Sequence, residues 1–420
     1  MKQKLVVIAS VVLLILLSAA VFYKSKKPVE SMLCGAVSCE NGCCVKGKCI
    51  PKGLEIAGYT CRENNTWQTP EGKIETKLPE AVSIAVGQAL EVPGLLSSEK
   101  AREIAQNIVS WLDGMKNDKG QYFANENCAS DGLCQTSSTI DKQRGIITVW
   151  SRYRNYLGSR NAPEMDLIDA ELATLTTPGV GSPAQNDYLN CTLMYELHKS
   201  NVFTPQQKNK ITSICNDSIF YGEEMNNYNQ RSKSDEAYSA EPAVELFLEG
   251  KPVNTGLNAN PDKMIKYSSY TADMATLYIW TKEAKALELG KYFFNLALET
   301  KSQELENTDD SLLGLAAYKF YEATGEQKYL EASGKFMEEK STGLKCSNFV
   351  YCVNYLYFLD YYSDKTDDPE IKLKSEELFA MLMANFYDSG KNLFYYKNEN
   401  GINYYPVAQN SILSGILANY

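Results

Sequence analysis

Histidine is nearly absent from this sequence, and basic residues are outnumbered by acidic ones. The only histidine among 420 residues is His198, near the end of a predicted helix, where it complements the helix dipole. A catalytic dyad that needs histidine, or a zinc site with several histidine ligands, is therefore not expected. Lys and Arg total 42 against 52 Asp and Glu, with no basic stripe, so nucleic acid is not an expected partner. We predict no metal and no cofactor.

Long apolar runs are also absent, except at the start of the chain. Leu5 to Phe22 is an uninterrupted stretch of apolar and small residues flanked by lysines, just long enough to span the core of a bilayer. We interpret residues 1–30 as an uncleaved, single-pass membrane anchor. A removable signal peptide is the alternative, because Ser18-Ala19-Ala20 resembles a cleavage site. The lysines after the apolar run would place the body inside the cell, whereas the cysteines indicate the opposite side.

Cysteine is plentiful, and its pattern predicts disulfides. Six of the 12 cysteines crowd into residues 34–61, and the others form pairs close in sequence. Such a pattern is typical of disulfides formed in an oxidising compartment, so the body is expected on the extracytoplasmic side of the membrane. Zinc bound by the C-x3-C-C-x4-C segment is the alternative. The crowded group is Cys34, Cys39, Cys43, Cys44, Cys49 and Cys61, and the pairs are Cys128 with Cys134, Cys191 with Cys215, and Cys346 with Cys352.

Residues 31–65 are predicted to form a small disulfide-rich module. The adjacent Cys43-Cys44 inside a frame of six cysteines resembles the knottin pattern. That resemblance implies links from the first cysteine to the fourth, the second to the fifth and the third to the sixth, although six cysteines allow fifteen connectivities. Residues 66–95 are predicted to be a linker. Glycosylation sequons begin at Asn64, Asn190 and Asn216, which fits an external location.

The rest of the chain, residues 96–420, repeats a helix that has an acid or amide near its start and an apolar, tyrosine-rich body. Such a repeat cannot bury both of its faces alone, so its copies must pack side by side. Setting aside a short segment at 236–249, twelve helices make six outer-then-inner pairs, with a seventh pair as an alternative. We therefore predict an all-α fold: an (α/α)6 toroid of helical hairpins, preceded by a transmembrane helix and the small disulfide-rich module. Copies of the repeat begin at Asp141, Asp187, Asp310, Asn348 and Asn410, with a shifted copy around Asp273.

One hairpin carries a family resemblance. The segment Asp309-Asp310-Ser311-Leu312-Leu313, continued through Thr324-Gly325 to Tyr329-Leu330, is similar to a hairpin of the six-hairpin glycosidases, in particular of the unsaturated glucuronyl hydrolases. Thr324-Gly325 would end the inner helix, and Tyr329 and Leu330 would start the buried face of the outer helix. The resemblance implies a toroid fold and a carbohydrate substrate. Sugar epimerases, polysaccharide lyases and non-catalytic toroids share this signature.

The resemblance also implies that Asp309 or Asp310 is a proton-transfer carboxylate. The structural alternative is an N-cap, in which the Asp side chain accepts hydrogen bonds from the first N–H groups of the helix. The positive end of the helix dipole would favour the ionised form, which suits a base or a stabilising charge better than an acid.

Asp273 is the third candidate, because it lies about two turns inside its helix and so should not cap that helix. At 3.6 residues per turn it shares a face with Tyr270 and Trp280. An aromatic and polar face that holds one acid is suited to a sugar subsite, and a solvated helix face is the alternative. Asp187 and Arg144 are further candidates for substrate binding.

Three functions follow from these residues. The first is glycoside hydrolysis by paired carboxylates, which would supply an acid with a base or a nucleophile. The second is a non-catalytic toroid that binds glycans or a protein partner at the cell surface. The third is a polysaccharide lyase with a tyrosine base and an arginine such as Arg144, Arg152 or Arg154. The sequence does not define the oligomeric state.

Overall fold

The structure is a computed structural model of the 420-residue chain. It divides into two compact units, Met1–Glu91 and Val92–Tyr420. The residues described in the first unit are 33–34, 37–38, 42–45, 48–52, 55–56, 59–62, 66–69 and 72–76. Those described in the second unit are 98–129, 132–138, 140–141, 144–160, 162–175, 190–220, 242–257, 259–302, 310–341, 346–366, 368–397 and 402–419.

The described part of the first unit consists of short antiparallel strands. They are β1 Leu33–Cys34, β2 Val37–Ser38, β3 Gly42–Val45, β4 Lys48–Pro51, β5 Glu55–Ile56, β6 Tyr59–Cys61, β7 Trp67–Gln68 and β8 Ile74–Glu75. Strands β1 and β2 pair, β3 and β4 pair, and β5 to β8 form a sheet in sequence order. A disulfide joins Cys43 to Cys61, which is the third-to-sixth link that the knottin resemblance implies.

The sheet of the first unit continues past the predicted module boundary at residue 65. The side chain of Trp67 in β7 is buried, and Trp67 pairs with Cys61 of β6, so β7 belongs to this sheet. A buried tryptophan side chain removes a large apolar area from water, which matters for the stability of so small a unit. Residues 66–76 therefore belong with the disulfide-linked strands rather than with a linker.

The second unit is built from thirteen helices within its described ranges. They are α1 Ser98–Gly114, α2 Arg144–Ser159, α3 Ala162–Thr174, α4 Asn190–Lys199, α5 Pro205–Phe220, α6 Pro242–Leu248, α7 Met264–Thr281, α8 Ala284–Ser302, α9 Leu313–Thr324, α10 Gln327–Ser341, α11 Phe349–Thr366, α12 Pro369–Phe386 and α13 Val407–Leu417.

Six of these helices form a closed inner ring. In ring order they are α2, α4, α7, α9, α11 and α13, and α13 packs back against α2. Each inner helix also packs against an outer helix: α2 with α3, α4 with α5, α7 with α8, α9 with α10, α11 with α12, and α13 with α1. The first and last helices of the unit thus pair and close the ring. The short α6 lies against the outer helices α8 and α10.

Small residues bring α13 close to its neighbours at this seam. Gly415 lies so near the indole of Trp150 on α2 that a Cβ atom at this position would overlap the ring. At the residue before Gly415, Asn155 Nδ2 donates a hydrogen bond to Ser414 Oγ at 2.9 Å, and Ser414 Oγ donates to the Ala105 carbonyl of α1 at 2.9 Å. The seam therefore combines close packing with buried hydrogen bonds, which fixes the ring at six hairpins.

Strands of the second unit lie in the connections that precede inner helices. They are β9 Tyr122–Phe123, β10 Asn125–Cys128, β11 Cys134–Thr136, β12 Ile140–Asp141, β13 Tyr387–Asp388, β14 Leu393–Phe394, β15 Tyr396–Lys397 and β16 Asn403–Pro406. Strands β11, β10, β16 and β15 form one sheet in that order, with Asn125 opposite Pro406. This sheet joins the connection before α2 to the connection before α13, beside the seam.

Three disulfides staple the second unit. They link Cys128 to Cys134, Cys191 to Cys215, and Cys346 to Cys352, the same pairs that proximity in sequence suggested. The first closes the β10–β11 hairpin and the second joins α4 to α5. Each link holds a connection or a hairpin in place rather than crossing the ring.

The helical ring confirms the predicted toroid architecture. One predicted helix start is wrong: the copy of the repeat expected to begin at Asp141 begins at Arg144, because residues 140–141 form a strand. The predicted membrane anchor, residues 1–30, lies outside the described residues. Among those that are described, no helix is both long and apolar enough to cross a membrane.

Candidate active site

The two rims of the ring have connections of very different length. Helices α7 and α8 are joined by Lys282 and Glu283, and α9 and α10 by Gly325 and Glu326. Connections in the other direction, from an outer helix to the next inner helix, are much longer, such as residues 115–143 and 387–406. We call the end at which the inner helices begin the long-connection rim, and the other end the short-turn rim. Binding and catalytic residues usually lie on loops that a rigid scaffold positions. Functional residues are therefore expected on the long-connection rim.

Asp310 lies on the long-connection rim, three residues before α9. Its side chain is buried, and Oδ2 accepts a hydrogen bond from Lys301 Nζ at 2.7 Å within a salt bridge. Helix α9 begins after Leu312 with no side-chain cap, and it is the backbone carbonyl of Asp310 that accepts the hydrogen bond from Leu313 N–H. Asp310 is therefore not the N-cap that the structural alternative predicted. It is an ion-paired carboxylate at the positive end of an inner helix.

Tyr355 of α11 lies in the same electrostatic neighbourhood. Burial raises the pKa of its phenol, and the negative charge of Asp310 raises it further. The hydroxyl has no hydrogen-bond partner within the described part of the chain. Tyr355 is thus a buried phenol within electrostatic range of a carboxylate. Asp309, the other member of the predicted acid pair, lies outside the described residues.

Asp273 has a different role from the one its spacing suggested. It does not cap its own helix, α7, but its carboxylate meets the first residues of the neighbouring inner helix α4. Oδ1 accepts hydrogen bonds from Thr192 N at 2.8 Å and from Thr192 Oγ1 at 2.9 Å. Burial raises the pKa of Asp273 to about 7, and hydrogen bonds from the Thr192, Cys191 and Asn190 backbone oppose that rise. Asp273 therefore caps a helix from the side and has almost no exposed surface.

Tyr270, Asp273 and Trp280 do not form one open sugar subsite. The Tyr270 ring is buried and stacks on Phe293 of the outer helix α8 at 4.9 Å. Trp280 lies at the far end of α7, on the short-turn rim, with its ring 4.5 Å from that of His198. The three residues do lie along one stripe of α7, but the stripe passes from the wall of the ring to its other end. Helical spacing correctly predicted that the three residues share a face of α7. It could not predict which neighbouring elements cover that face.

Asp273 and Asp310 also lie at different depths in the ring. Asp273 precedes the left-handed C-cap residue of its helix, Lys282, by nine positions, and Asp310 precedes the equivalent Gly325 by fifteen. At about 1.5 Å per residue, the two carboxylates are offset along the ring axis by roughly 9 Å. A pair that acts together on one bond should lie across it at the same level, so Asp273 is a poor partner for Asp310.

The remaining candidates divide between undescribed and structural positions. Asp187 lies outside the described residues, and Arg144 begins α2 with a side chain that is not described. Asp141 does not begin a helix, because it pairs with Tyr122 between β12 and β9. Asn348 caps α11 by accepting a hydrogen bond from Tyr351 N at 3.1 Å. The repeat pattern thus predicted the helix start at Asn348 correctly, whereas the start that it predicted at Asp141 lies in a strand.

Two asparagines do not have their predicted roles: Asn410 does not start a helix, and Asn190 is not available for glycosylation in the folded chain. Asn410 is inside α13, where its amide bonds to both backbone groups of Phe394, at 2.9 Å and 2.8 Å. It holds β14 against the inner ring rather than starting a helix. Asn190, the predicted glycosylation site, is buried at the start of α4 next to the Cys191–Cys215 disulfide, so the folded chain does not present it to solvent.

A network around Arg154 is the main feature that the sequence did not predict. Arg154 Nε donates to Glu196 Oε1 at 2.7 Å, and Nη1 donates to Asp360 Oδ2 at 3.1 Å. Trp150 Nε1 donates to the other oxygen of Glu196 at 2.6 Å. Burial raises the pKa of Asp360 to about 6, and Arg154 opposes that rise. The signal available in the sequence was a set of charges inside apolar inner helices, which need partners when buried.

A second buried network involves Arg152 and weakens the lyase hypothesis. Arg152 Nε and Tyr122 OH both donate to Glu171 Oε1, at 2.8 Å and 2.6 Å. Burial and the negative charge of Glu171 hold the pKa of Tyr122 well above its usual range. A lyase base must lose its proton easily, and this tyrosine does the opposite. Arg152 and Arg154 each pair with two carboxylates inside the protein.

Metal ligands converge at only one point within the described part of the chain. Glu126, Cys128 and Cys134 lie within ligand distance of one another. The two sulfurs are joined in a disulfide, so they offer no thiolate, and Lys391 Nζ lies 3.0 Å from Glu126. A carboxylate that is paired with an ammonium beside a disulfide is not a metal site.

Comparisons with known proteins give similarity at the level of architecture. Neither a protein-family profile nor a curated relative matches the chain. Similar solved structures include the Lin0763 protein of Listeria innocua, at 12% identity and a TM-score of 0.47, covering 76% of this chain and 96% of that one. Another is an inactive variant of the α-1,6-mannanase GH76A of Salegentibacter sp. HEL1_6 with α-1,6-mannotriose, at 12% identity and a TM-score of 0.47, covering 76% and 98%.

A third similar structure is an unsaturated glucuronyl hydrolase specific for heparin, at 11% identity and a TM-score of 0.43, covering 77% of this chain and 96% of that one. It belongs to the group that the Asp310 hairpin resembles in sequence. At such low identity these likenesses concern the fold alone.

Proposed function

We propose that this chain is a carbohydrate-active enzyme of the glycoside hydrolase type, with its active site on the long-connection rim. One observation supports the proposal most strongly: Asp310 is a buried carboxylate at the start of an inner helix, and it bonds to Lys301 rather than capping the helix. A carboxylate released from capping can act on a substrate. Its setting at a helix N-terminus, opposite an ammonium, suits a base, a nucleophile or a stabilising charge.

The second carboxylate of the proposed pair is Asp309. It is the residue directly before Asp310, which places it in the same long connection. A glycoside hydrolase needs one carboxyl group to protonate the leaving oxygen and another to assist attack on the sugar. We assign the unprotonated role to Asp310 because of its salt bridge, and the proton-donor role to Asp309.

The test is sugar release from a polysaccharide panel by the full-length chain. The panel should hold α-mannans, uronate-containing glycans and neutral β-glucans. Asp310→Asn should lower the rate by about 10²–10⁴-fold, the usual contribution of a proton-transfer group. Asp262→Asn is the matched control, because Asp262 is an exposed aspartate in the connection before α7, and it should act at the wild-type rate.

Two outcomes would overturn this proposal. Release of sugar at an unchanged rate by Asp310→Asn would remove Asp310 from the mechanism. Retention of a glycan without release of sugar from any member of the panel would favour the alternative of a non-catalytic binding toroid.

We propose further that the protein is anchored in a membrane through residues 1–30, with both units on the extracytoplasmic side. The disulfides support the compartment, because such links persist in an oxidising environment. Protease added to intact cells should cleave the body, and alkaline extraction should leave the chain in the membrane fraction. Protection from the protease would contradict the orientation, and release by alkali would contradict the anchor.

A further inference from the structure

The short-turn rim carries a second group of polar and aromatic side chains, separate from Asp310. They come from five of the six inner helices, at the ends where those helices stop. The members that matter are Arg154 of α2, Tyr195 and Glu196 of α4, Trp280 of α7, Lys319 and Glu322 of α9, and Asp360 and Tyr361 of α11. We call this group the short-turn mouth.

These side chains converge across the ring rather than along its wall. Helix α4 packs beside α2 and α7, yet the pKa of Tyr195 is raised by burial and by Glu322 of α9, and lowered by Lys365 of α11. Arg154 of α2 likewise contacts Asp360 of α11, which is not its neighbour in the ring. Interactions between inner helices that are not neighbours in the ring mean that these groups surround the ring axis.

The base of the mouth is rigid. Arg154 is buried and held by two carboxylates, those of Glu196 and Asp360. The side chain of Glu196 remains 32% exposed, so solvent reaches this depth. A fixed carboxylate that faces solvent from inside a ring can accept hydrogen bonds from the hydroxyl groups of a ligand.

One wall of the mouth is a chain of hydrogen bonds that begins at Lys319. This lysine is buried and pairs with Glu322 Oε2 at 3.1 Å, and it also donates to Tyr361 OH. Tyr361 OH in turn donates to Glu322 Oε2 at 2.7 Å. Burial lowers the pKa of Lys319 to about 8, and Lys365 and Lys199 contribute to that fall. Three ammonium groups therefore lie within electrostatic range of one another.

The opposite wall is aromatic. The partly exposed Trp280 has its ring 5.5 Å from the ring of Tyr195 and 4.5 Å from that of His198. Lys199 Nζ lies 4.6 Å from the centroid of Tyr195, and this lysine is exposed. Aromatic faces bordered by hydrogen-bonding groups bind ligands that have one apolar and one polar side.

The charges of the mouth balance. The mouth itself holds two cations and three carboxylates, and the neighbouring Lys199, Lys365 and Asp364 bring the total to four of each. Lys199 and Lys365 are exposed, and neither makes a salt bridge within the part of the chain that the structure describes. A balanced set of donors and acceptors beside aromatic rings suits a neutral, hydroxyl-rich ring better than a polyanion.

We propose that the short-turn mouth is a second saccharide-binding site, which takes a neutral sugar on the platform of Trp280 and Tyr195. The apolar face of the pyranose stacks on the aromatic rings. Its hydroxyl groups donate to Glu196 and Glu322 and accept from Lys199 and Lys365. This site does not depend on the function proposed for Asp310, because it lies at the other end of the ring.

The test measures binding of the labelled, full-length chain to an array of neutral and uronate-containing oligosaccharides. The key variant is Lys199→Met/Lys365→Met, which removes two exposed donors without disturbing buried residues. Trp280→Ala removes the platform. The matched control is Lys251→Met/Lys285→Met, which replaces two exposed lysines outside the inner ring.

Neutral saccharides should lose binding at least about tenfold in both mouth variants, since hydrogen bonds to charged groups are the stronger ones. The control should bind as the wild type does, and the loss in the mouth variants should persist when their substitutions are made in an Asp310→Asn background. The proposal is overturned if no neutral saccharide loses binding in Lys199→Met/Lys365→Met, or if Asp310→Asn abolishes the same binding. Binding confined to uronates would contradict the neutral ligand.

Discussion

The two rims of the ring differ in what fixes their polar groups. On the short-turn rim, buried charges such as Arg154 are held by partners from other inner helices, and the helices are joined by turns as short as Lys282-Glu283. On the long-connection rim, Asp310 pairs with Lys301 of an outer helix. Short turns leave little sequence to vary, whereas long connections can bring different side chains to the same scaffold. Rigidity therefore belongs to the short-turn rim, and we propose that chemistry belongs to the long-connection rim.

Removing Arg154 should have the largest effect on stability. In Arg154→Met the carboxylates of Glu196 and Asp360 would stay near the ring axis without their cation, which costs roughly 3–5 kcal/mol for a buried pair. Chemical denaturation measures this cost, and Arg102→Met, which changes an exposed arginine of α1, is the control. If the two variants unfold at the same denaturant concentration, the short-turn rim is not the rigid end.

Asp273 lies between the two rims, and its replacement should change the pH dependence of stability. Its pKa is raised to about 7 in the folded chain from an ordinary 3.8, so between these values the folded state holds more protons than the unfolded state. Stability contributed at low pH is therefore lost as the pH rises through this window. Asp273→Asn keeps an acceptor for Thr192 and should gain roughly 2–3 kcal/mol relative to the wild type between pH 5 and pH 8.

The measurement is the melting temperature of the wild type and of Asp273→Asn, each at pH 5 and at pH 8. The difference between the two proteins should grow in favour of the variant at pH 8. A gap that is the same at both pH values would mean that Asp273 is ionised throughout, and that its link to α4 is an ordinary ionised cap.

Replacing Gly415 tests whether the ring closes by close packing at the seam between α13 and α2. Gly415→Ala would place a methyl group against Trp150 at the seam between α13 and α2, and overpacking of this kind costs about 1–3 kcal/mol. Gly334→Ala is the matched control, since a Cβ atom there meets nothing within 4 Å. That control should be neutral or slightly stabilising, because alanine favours a helix over glycine. Equal stability of the two variants would show that the ring is not closed at this seam.

The cap of α11 on the long-connection rim should give the smallest effect. Asn348→Ala removes the hydrogen bond to Tyr351 N and should cost about 1 kcal/mol, whereas Asn348→Asp should be nearly neutral. Thermal unfolding of the three proteins decides. A cost as large as that of Arg154→Met would remove the difference in rigidity between the rims.

Much of the ring could be predicted from the sequence, because helical periodicity and turns such as Thr324-Gly325 are local signals. The strands at 134–136 and 140–141 could not, since each gains its stability from a partner distant in sequence. The same limit applies to the site. Spacing placed Asp273 on the correct stripe of its helix, but the neighbour that covers it, Thr192, is 81 residues away.

The partners of buried charges were the least predictable part. Arg154 bonds to Asp360 across 206 positions, and nothing local distinguishes that pairing from others. Apolar inner helices that carry single charges were the available signal. Such charges must find counter-charges once the ring closes, but which ones they meet is decided by the order of helices around the ring.

The most direct test of the proposed active site is a crystal structure of Asp310→Asn with an oligosaccharide from which the wild type releases sugar. We expect a sugar on the long-connection rim, with a glycosidic oxygen or anomeric carbon within hydrogen-bonding reach of residue 310, whether or not a second sugar lies against Trp280. A structure that holds saccharide only at the short-turn rim would contradict it.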